Sequence, residues 1–156
     1  KHQNLKLNPP MRLTTAVLLL TLCVVVIADH YDYYVLATEW AGSVCLEKKC
    51  SAAQGIGSNF FNLHGLWPSQ NSNPMGPFDC HNVAFSYDYF TPTTTQAVTQ
   101  FWSGLYNSAE DFHKHEWSKH GACWDNDIQQ TNPIDDYFVR AIGLAQKYNA
   151  YNVLKS

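Results

Sequence analysis

The stretch FNLHGLWPSQ, Phe61 to Gln70, places one histidine at the end of an apolar run and follows it with Gly, Pro and polar residues. The alternation over Asn59 to His64 predicts a strand with Asn62 and His64 on one face. The residues after it predict a long loop, because they are rich in Gly, Pro and Asn. A second histidine-rich segment, HEWSKHGAC, spans His115 to Cys123. Two such neighbourhoods in one chain indicate a shared site.

The second segment predicts a helix over roughly Phe112 to His120. Residues four apart share a helix face, which pairs Glu116 with His120 and His115 with Lys119. One face of this helix therefore offers two imidazoles, a carboxylate and an ammonium group.

This set of groups suits one class of reaction. One imidazole can accept a proton while another donates one, since the ordinary histidine pKa is about 6.5. A lysine can neutralise an anionic transition state, and a carboxyl group can orient an imidazole or donate a hydrogen bond when its pKa is raised. The set fits cleavage of a phosphodiester by an internal hydroxyl, which the 2′-OH of RNA supplies and DNA lacks.

Metal chemistry is the alternative for the same segment. HEWSKH resembles the zinc motif H-E-x-x-H with one additional residue, so its two histidines do not share a helix face unless a bulge intervenes. A second metal-binding arrangement would use His113, His115, His120 and Cys123. The chain contains neither a G-x-x-x-x-G-K phosphate loop nor a G-x-S-x-G nucleophile turn.

Composition limits the class of protein. The 156 residues are 46% hydrophobic and include five Trp, nine Tyr and eight Phe, which is enough for one aromatic-rich domain. The formal net charge is −3. Bulk charge would therefore not attract nucleic acid, and any phosphate chemistry depends on local cations.

The N-terminal region predicts a secretory signal peptide from about Met11 to Ala28. An apolar run from Thr15 follows Arg12 and is short for a membrane span, although a membrane anchor is the alternative. Removing this region takes Cys23 away and leaves four of the five cysteines. Four cysteines in an oxidising compartment predict two disulfides, with three possible pairings.

The remaining segments indicate mixed secondary structure. Tyr31 to Trp40 predicts a buried strand, and residues 41–58 predict a loop. Thr91-Pro92 and Asn132-Pro133 each predict a helix N-terminus, with Pro at the first helical position. The apolar stripe of the last helix comprises Ile134, Phe138, Ala141, Ile142, Ala145 and Tyr148.

The quoted segments resemble the T2 ribonucleases, which are secreted or vacuolar acid endoribonucleases. FNLHGLWP is similar to the first active-site segment of that family, HEWSKHGAC to the second, and YVLATEWAGSVC to the opening strand and turn. The resemblance spans Tyr31 to Leu154. It implies an α+β fold with a central antiparallel sheet flanked by helices, and cleavage through a 2′,3′-cyclic phosphate without metal or other cofactor.

Roles carry over onto the matching positions. The resemblance implies that His64 and His120 are the acid–base pair, with His120 as the base on the 2′-OH and His64 as the acid. It implies that Glu116 and Lys119 stabilise the phosphorane-like transition state, and that His115 binds phosphate.

Two aromatic residues are candidates for substrate binding. Trp67 and Phe112 each lie three residues from a histidine and could flank a base, although both could instead be core residues. The resemblance also implies the two disulfides, which are Cys45–Cys50 and Cys80–Cys123.

We further expect a monomer that acts on single-stranded RNA, not DNA, and that has no stable membrane association once the signal is removed. The expected location is secreted or lysosomal/vacuolar. Ser69 stands where some relatives carry an Asp that helps to select the base.

Relatives continue further along the chain, so residues 29–156 are expected to form a domain that lacks its C-terminal part. The alternative function is a non-catalytic secreted ribonuclease-like binding or signalling protein, which loss of either His64 or His120 would favour.

Overall fold

The computed structural model describes residues 31–50, 61–80, 83–124 and 132–156. The described elements are, in chain order, β1 (Tyr33–Glu39), α1 (Ala41–Glu47), β2 (Asn62–Ser69), a 3-10 turn (Tyr87–Tyr89), α2 (Pro92–Phe101), α3 (Ala109–Lys119), a second 3-10 turn (Gly121–Cys123), α4 (Pro133–Lys147) and α5 (Ala150–Lys155). The predicted signal peptide lies outside the described residues.

The two strands pair antiparallel, and helices pack against them, which confirms the α+β class. Their register contains a bulge. Ala37 lies opposite Gly65 and Thr38 lies opposite Leu63, so His64 has no partner on β1. A bulge of one extra residue bends the strand locally and changes the direction of its side chain. Asn62 and His64 both contact Glu39, so they share a face as predicted, and the bulge leaves His64 without a partner at the bend.

The predicted loop after His64 starts five residues later than expected, because β2 continues to Ser69, and residues 70–80 form the loop. Residues 59 and 60, where the predicted strand began, lie outside the described residues. Pro68 lies opposite Tyr34 and has no N–H to donate, which an edge strand tolerates. In the part of the chain that the structure describes, β2 pairs with β1 alone. Trp67 is therefore held on a strand and not in a mobile loop.

Two further predictions near β1 need correction. The segment after Trp40 is not a loop throughout, because residues 41–47 form α1, and the Cys45–Cys50 disulfide ties the end of α1 to the residues after it. The first strand is half-buried and not buried, since its residues are intermediate or exposed.

The helix starts follow the predicted caps. The side chain of Thr91 accepts a hydrogen bond from Thr94 N at the start of α2, and Asn132 accepts one from Asp135 N at the start of α4. The predicted start of α3 was three residues late, because the hydroxyl of Ser108 caps the helix by accepting from Asp111 N at 3.0 Å. Such caps satisfy backbone N–H groups that have no partner within the helix. The final short helix, α5, was not predicted.

The core lies between α2, α3, α4 and one side of the strands. The predicted apolar stripe of α4 is buried except for Tyr148. Tyr148 caps the end of the helix and is 58% exposed, so its place in the stripe was predicted wrongly. Trp117 of α3 is 2% exposed and packs in this core. Tyr137 of α4 is fully buried, and its hydroxyl donates to Leu66 O at 3.1 Å. This contact fixes α4 against the middle of β2.

Among the described residues, no helix combines the length and the apolar character needed to cross a membrane.

Candidate active site

His64 lies between two carboxyl groups that come from different elements. Its Nδ1 is 3.4 Å from Glu39 Oε2 at the end of β1, and its Nε2 is 3.5 Å from Glu116 Oε1 on α3. The side chain remains 32% exposed, so it is accessible to a ligand. The hydrogen bond to Glu39 raises the pKa of His64, burial opposes this, and the negative charges of Glu116 and Glu39 reinforce it. His64 is therefore stabilised in its protonated form.

The indole of Trp67 connects the two histidines. Its ring centroid is 5.4 Å from that of His64 in an edge-on arrangement and 5.1 Å from that of His120 in a stacked arrangement. The two imidazoles that come from distant segments thus flank the same side chain. Trp67 is half-buried, so part of its surface remains available at the site.

Glu116 is a buried carboxyl group whose position depends on two neighbours. Only 1% of it is exposed, and its Oε2 accepts a hydrogen bond from Trp67 Nε1 at 2.9 Å. Burial raises the pKa of Glu116, while the Trp67 hydrogen bond and the charge of His64 oppose this rise. Gly65 is the reason that the two side chains can approach, since a Cβ there would overlap both Glu116 Oε2 and Trp67 Nε1.

His120 follows the last residue of α3 and is 6% exposed. Burial lowers the pKa of His120 to about 3, and the positive charges of Lys119, His115 and His64 act in the same direction. Its Nδ1 is buried and has no hydrogen-bond partner among the described residues. An imidazolium would need an acceptor for both N–H groups, so this environment favours the neutral ring. His120 thus favours the neutral imidazole, whereas His64 favours the protonated imidazolium.

The cationic part of the site lies next to His120. Lys119 Nζ is 5.1 Å from the ring centroid of Phe78, and the same ring lies edge-on to His120 at 5.7 Å. The backbone N–H of Asp79 donates to Lys119 O at 3.1 Å and holds this segment on the end of α3. His115 is exposed, and its charge is one of those that lower the pKa of His120.

Phe112 contacts both the core and the site. It packs against the core from its half-buried position on α3, and its ring lies edge-on to His64 at 5.2 Å between centroids. The structure thus brings His64, Trp67, Phe112, Glu116 and His120 together, with Lys119 and His115 on the adjoining helix end.

Two residues of this site were missed from the sequence. Phe78 could have been found, because it lies two residues before Cys80 and the expected Cys80–Cys123 bridge places it near His120. Glu39 had no local signal, since its contact with His64 depends on the register of two strands.

Both expected disulfides are present, Cys45–Cys50 and Cys80–Cys123. The second joins the segment that carries Phe78 to the turn after His120, and so connects two walls of the site. It also removes the thiolate of Cys123 from the metal-binding alternative. His113 does not fit that alternative either, because it is 1% exposed and its two ring nitrogens bond Tyr87 Oη at 2.8 Å and Trp102 O at 2.7 Å.

Comparison with known proteins identifies the family of this chain. The Ribonuclease T2 family matches residues 31–156. Ribonuclease Oy of Magallana gigas is 31% identical over 128 residues, covering 80% of this chain and 58% of that protein. Extracellular ribonuclease LE of Solanum lycopersicum is 26% identical over 162 aligned positions, covering 95% of this chain and 66% of that protein.

Among solved structures, ribonuclease MC1 from the seeds of bitter gourd superposes with a TM-score of 0.61 at 25% identity, covering 76% of this chain and 60% of that one. The chain thus spans between half and two-thirds of the length of these relatives. The match over residues 31–156 includes both histidine segments, and this chain belongs to the Ribonuclease T2 family.

Proposed function

We propose that this protein is a metal-independent endoribonuclease that cleaves single-stranded RNA through a 2′,3′-cyclic phosphate. The observation that carries the proposal is the pair of imidazoles around Trp67, one with a lowered and one with a raised pKa. Opposed pKa values in one site are the usual basis for separate base and acid roles.

His120 is the base in this mechanism, because burial keeps it neutral. It takes the proton of the 2′-OH while the oxygen attacks phosphorus. His64 is the acid, and its proton passes to the 5′-oxygen as the P–O5′ bond breaks. The products are a 2′,3′-cyclic phosphate and a free 5′-hydroxyl. Each of these proton transfers contributes about 10²- to 10⁴-fold to the rate.

The remaining side chains address the charge on phosphorus. Glu116 has a raised pKa, so in its protonated form it can donate a hydrogen bond to a non-bridging oxygen. Lys119 supplies a positive charge beside His120, and His115 extends this cationic surface towards a phosphate. Trp67 and Phe112 flank His64 with aromatic surface, against which a base can stack.

Cleavage of a short single-stranded RNA in excess EDTA, with analysis of the product ends, tests the proposal. We expect cyclic-phosphate ends, and no cleavage when the scissile linkage follows a 2′-deoxynucleotide. His64→Ala and His120→Ala should each lose about 10²- to 10⁴-fold of the rate. RNA binding without cleavage would instead favour a non-catalytic binding protein.

A charge-matched pair of variants tests the cationic part. Lys119→Ala removes the ammonium group beside His120, whereas Lys114→Ala removes an exposed lysine elsewhere on α3. We expect a large loss of kcat for the first variant and little change for the second. Equal activity of the two would exclude Lys119 from charge stabilisation.

We further propose that the protein is secreted as a monomer. Two disulfides among the described residues fit an oxidising compartment, and a relative bears the name extracellular ribonuclease. N-terminal sequencing of protein recovered from culture medium, expected to begin after Ala28, tests the cleavage. Its elution volume in size-exclusion chromatography tests the monomer.

A further inference from the structure

Glu39 contacts the site, although no step of the proposed mechanism uses it. It is the last residue of β1, its side chain is 15% exposed, and its Oε2 lies 3.4 Å from His64 Nδ1. The bulge leaves His64 unpaired between the Thr38–Leu63 and Ala37–Gly65 pairs, and the Glu39–Asn62 pair is the next one along the strands.

The carboxylate of Glu39 is itself fixed by a buried amide. Its Oε1 accepts a hydrogen bond from Asn62 Nδ2 at 3.1 Å. Asn62 is 1% exposed, donates to Ser103 O at 3.0 Å and accepts from Ser103 N at 2.8 Å. Each oxygen of Glu39 thus has its own partner, and the chain of contacts ends on backbone between α2 and α3.

We propose that Glu39 is a positioning residue that holds His64 by Nδ1, so that Nε2 faces the reacting phosphate and carries the transferred proton. The inference rests on the proposed function, because it assigns His64 the role of acid. A carboxylate on one ring nitrogen fixes the orientation of the imidazole and stabilises its protonated form. The other nitrogen, Nε2, lies on the side of Glu116, inside the site.

The charged groups that act on His64 are Glu39 from β1 and Glu116 and Lys119 from α3. His120, at the end of α3, contacts the same indole as His64 but favours its neutral form. Lys119 lowers the pKa of His64, and burial lowers it too. Glu116 is a poor permanent counter-ion, since burial raises its own pKa. Glu39 is more exposed than Glu116, so its carboxylate is better solvated. The hydrogen bond to Glu39 is accordingly the largest single contribution to the raised pKa of His64.

A merely structural role for Glu39 is the competing explanation. In that case Glu39 would only join the strand end to Asn62, and its loss would change stability without changing the charge of His64. Glu39→Gln separates the two roles, because the amide keeps the size of the side chain and an oxygen acceptor while removing the charge.

The experiment follows the titration of the His64 ring by NMR, without RNA, in the wild type and in Glu39→Gln. The resonance is assigned by its absence in His64→Ala. We expect the pKa of His64 to fall by about one unit in Glu39→Gln. Glu47→Gln is the matched control, since Glu47 is exposed on α1 and is not among the groups that shift His64. An unchanged pKa in Glu39→Gln would overturn the proposal.

The pH profile of RNA cleavage is the second measurement. Glu39→Gln should move the basic limb of kcat/KM towards lower pH by the same amount and leave the acidic limb in place. Glu39→Ala should lower kcat further, with Gln restoring part of the loss through orientation alone. A wild-type chain that does not cleave RNA would refute the proposed function, whereas the NMR titration would still decide whether Glu39 controls His64.

Discussion

The indole N–H of Trp67 donates a hydrogen bond to Glu116 Oε2 at 2.9 Å, while the face of the same ring stacks on His120. One side chain of β2 therefore contacts both a carboxyl group of α3 and the imidazole that follows this helix. Because the bond joins the two histidine segments, it fixes the position of one relative to the other.

Trp67→Phe should separate these two functions of the indole. The phenyl ring keeps an aromatic face for His120 but loses the donor to Glu116. Leaving the buried Glu116 without this partner costs about 1–3 kcal/mol, so kcat should fall by about 5- to 150-fold. Steady-state kinetics on a short RNA measures this, with the unfolding midpoint as a check of folding. Wild-type kcat in Trp67→Phe would mean that Glu116 needs no positioning by the indole.

The two histidines predict a pH profile with its maximum at acidic pH. A general base must be neutral, so the rate falls as the pH drops through the pKa of His120, about 3. A general acid must be protonated, so the rate falls as the pH rises through the pKa of His64, which lies above the ordinary 6.5. The logarithm of kcat/KM against pH should therefore be flat between these limits. A rate that rises continuously towards pH 9 would contradict both assignments.

Gly65→Ala should damage the site more than the fold. The added methyl group would overlap Glu116 Oε2 and Trp67 Nε1, so their hydrogen bond must lengthen or break. We expect kcat to fall about as far as in Trp67→Phe. Gly143→Ala is the control, since nothing lies within 4 Å of a Cβ at that exposed position of α4.

Gly143→Ala should itself change the stability of the protein. Ala in place of Gly inside a helix should raise the free energy of unfolding by about 0.5–1 kcal/mol. Circular dichroism and RNA cleavage, measured for both glycine variants, check the pair. A fully active Gly65→Ala would show that the site tolerates a wider separation of the two side chains.

Local signals in the sequence predicted the parts of the fold that depend on local chemistry. The caps at Thr91 and Asn132 and the buried stripe of α4 depend on residues within one turn of each other. The length of β2 could not be predicted in this way, because Gly65 and Pro68 read as loop residues until β1 pairs with them.

The same distinction between local and long-range signals holds for the residues of the candidate site. His64, Glu116 and His120 were predicted from side-chain chemistry and spacing, together with a resemblance to a family. Glu39 was not, since its approach to His64 requires a bulge, and a bulge is a property of two strands together. The pKa values of the two imidazoles also depend on burial, which no single segment determines.

Tyr137→Phe should destabilise the protein through the strand that carries the site. The hydroxyl of Tyr137 donates to Leu66 O at 3.1 Å and accepts from Leu66 N at 3.4 Å, and both groups are buried. Removing the hydroxyl takes this partner away from the backbone N–H and C=O of Leu66, which lies between His64 and Trp67 on β2. The free energy of unfolding should fall by about 1–3 kcal/mol.

Tyr148→Phe is the matched control for this loss, because Tyr148 follows the same helix and is 58% exposed. Its removed hydroxyl should change the free energy of unfolding by no more than about 0.5 kcal/mol in either direction. Urea unfolding of the two variants, compared at an unchanged m-value, measures both effects. If Tyr137→Phe were as stable as Tyr148→Phe, the contact between α4 and Leu66 would not hold β2 in place, and the alignment of His64 with Trp67 would have to depend on β1 alone.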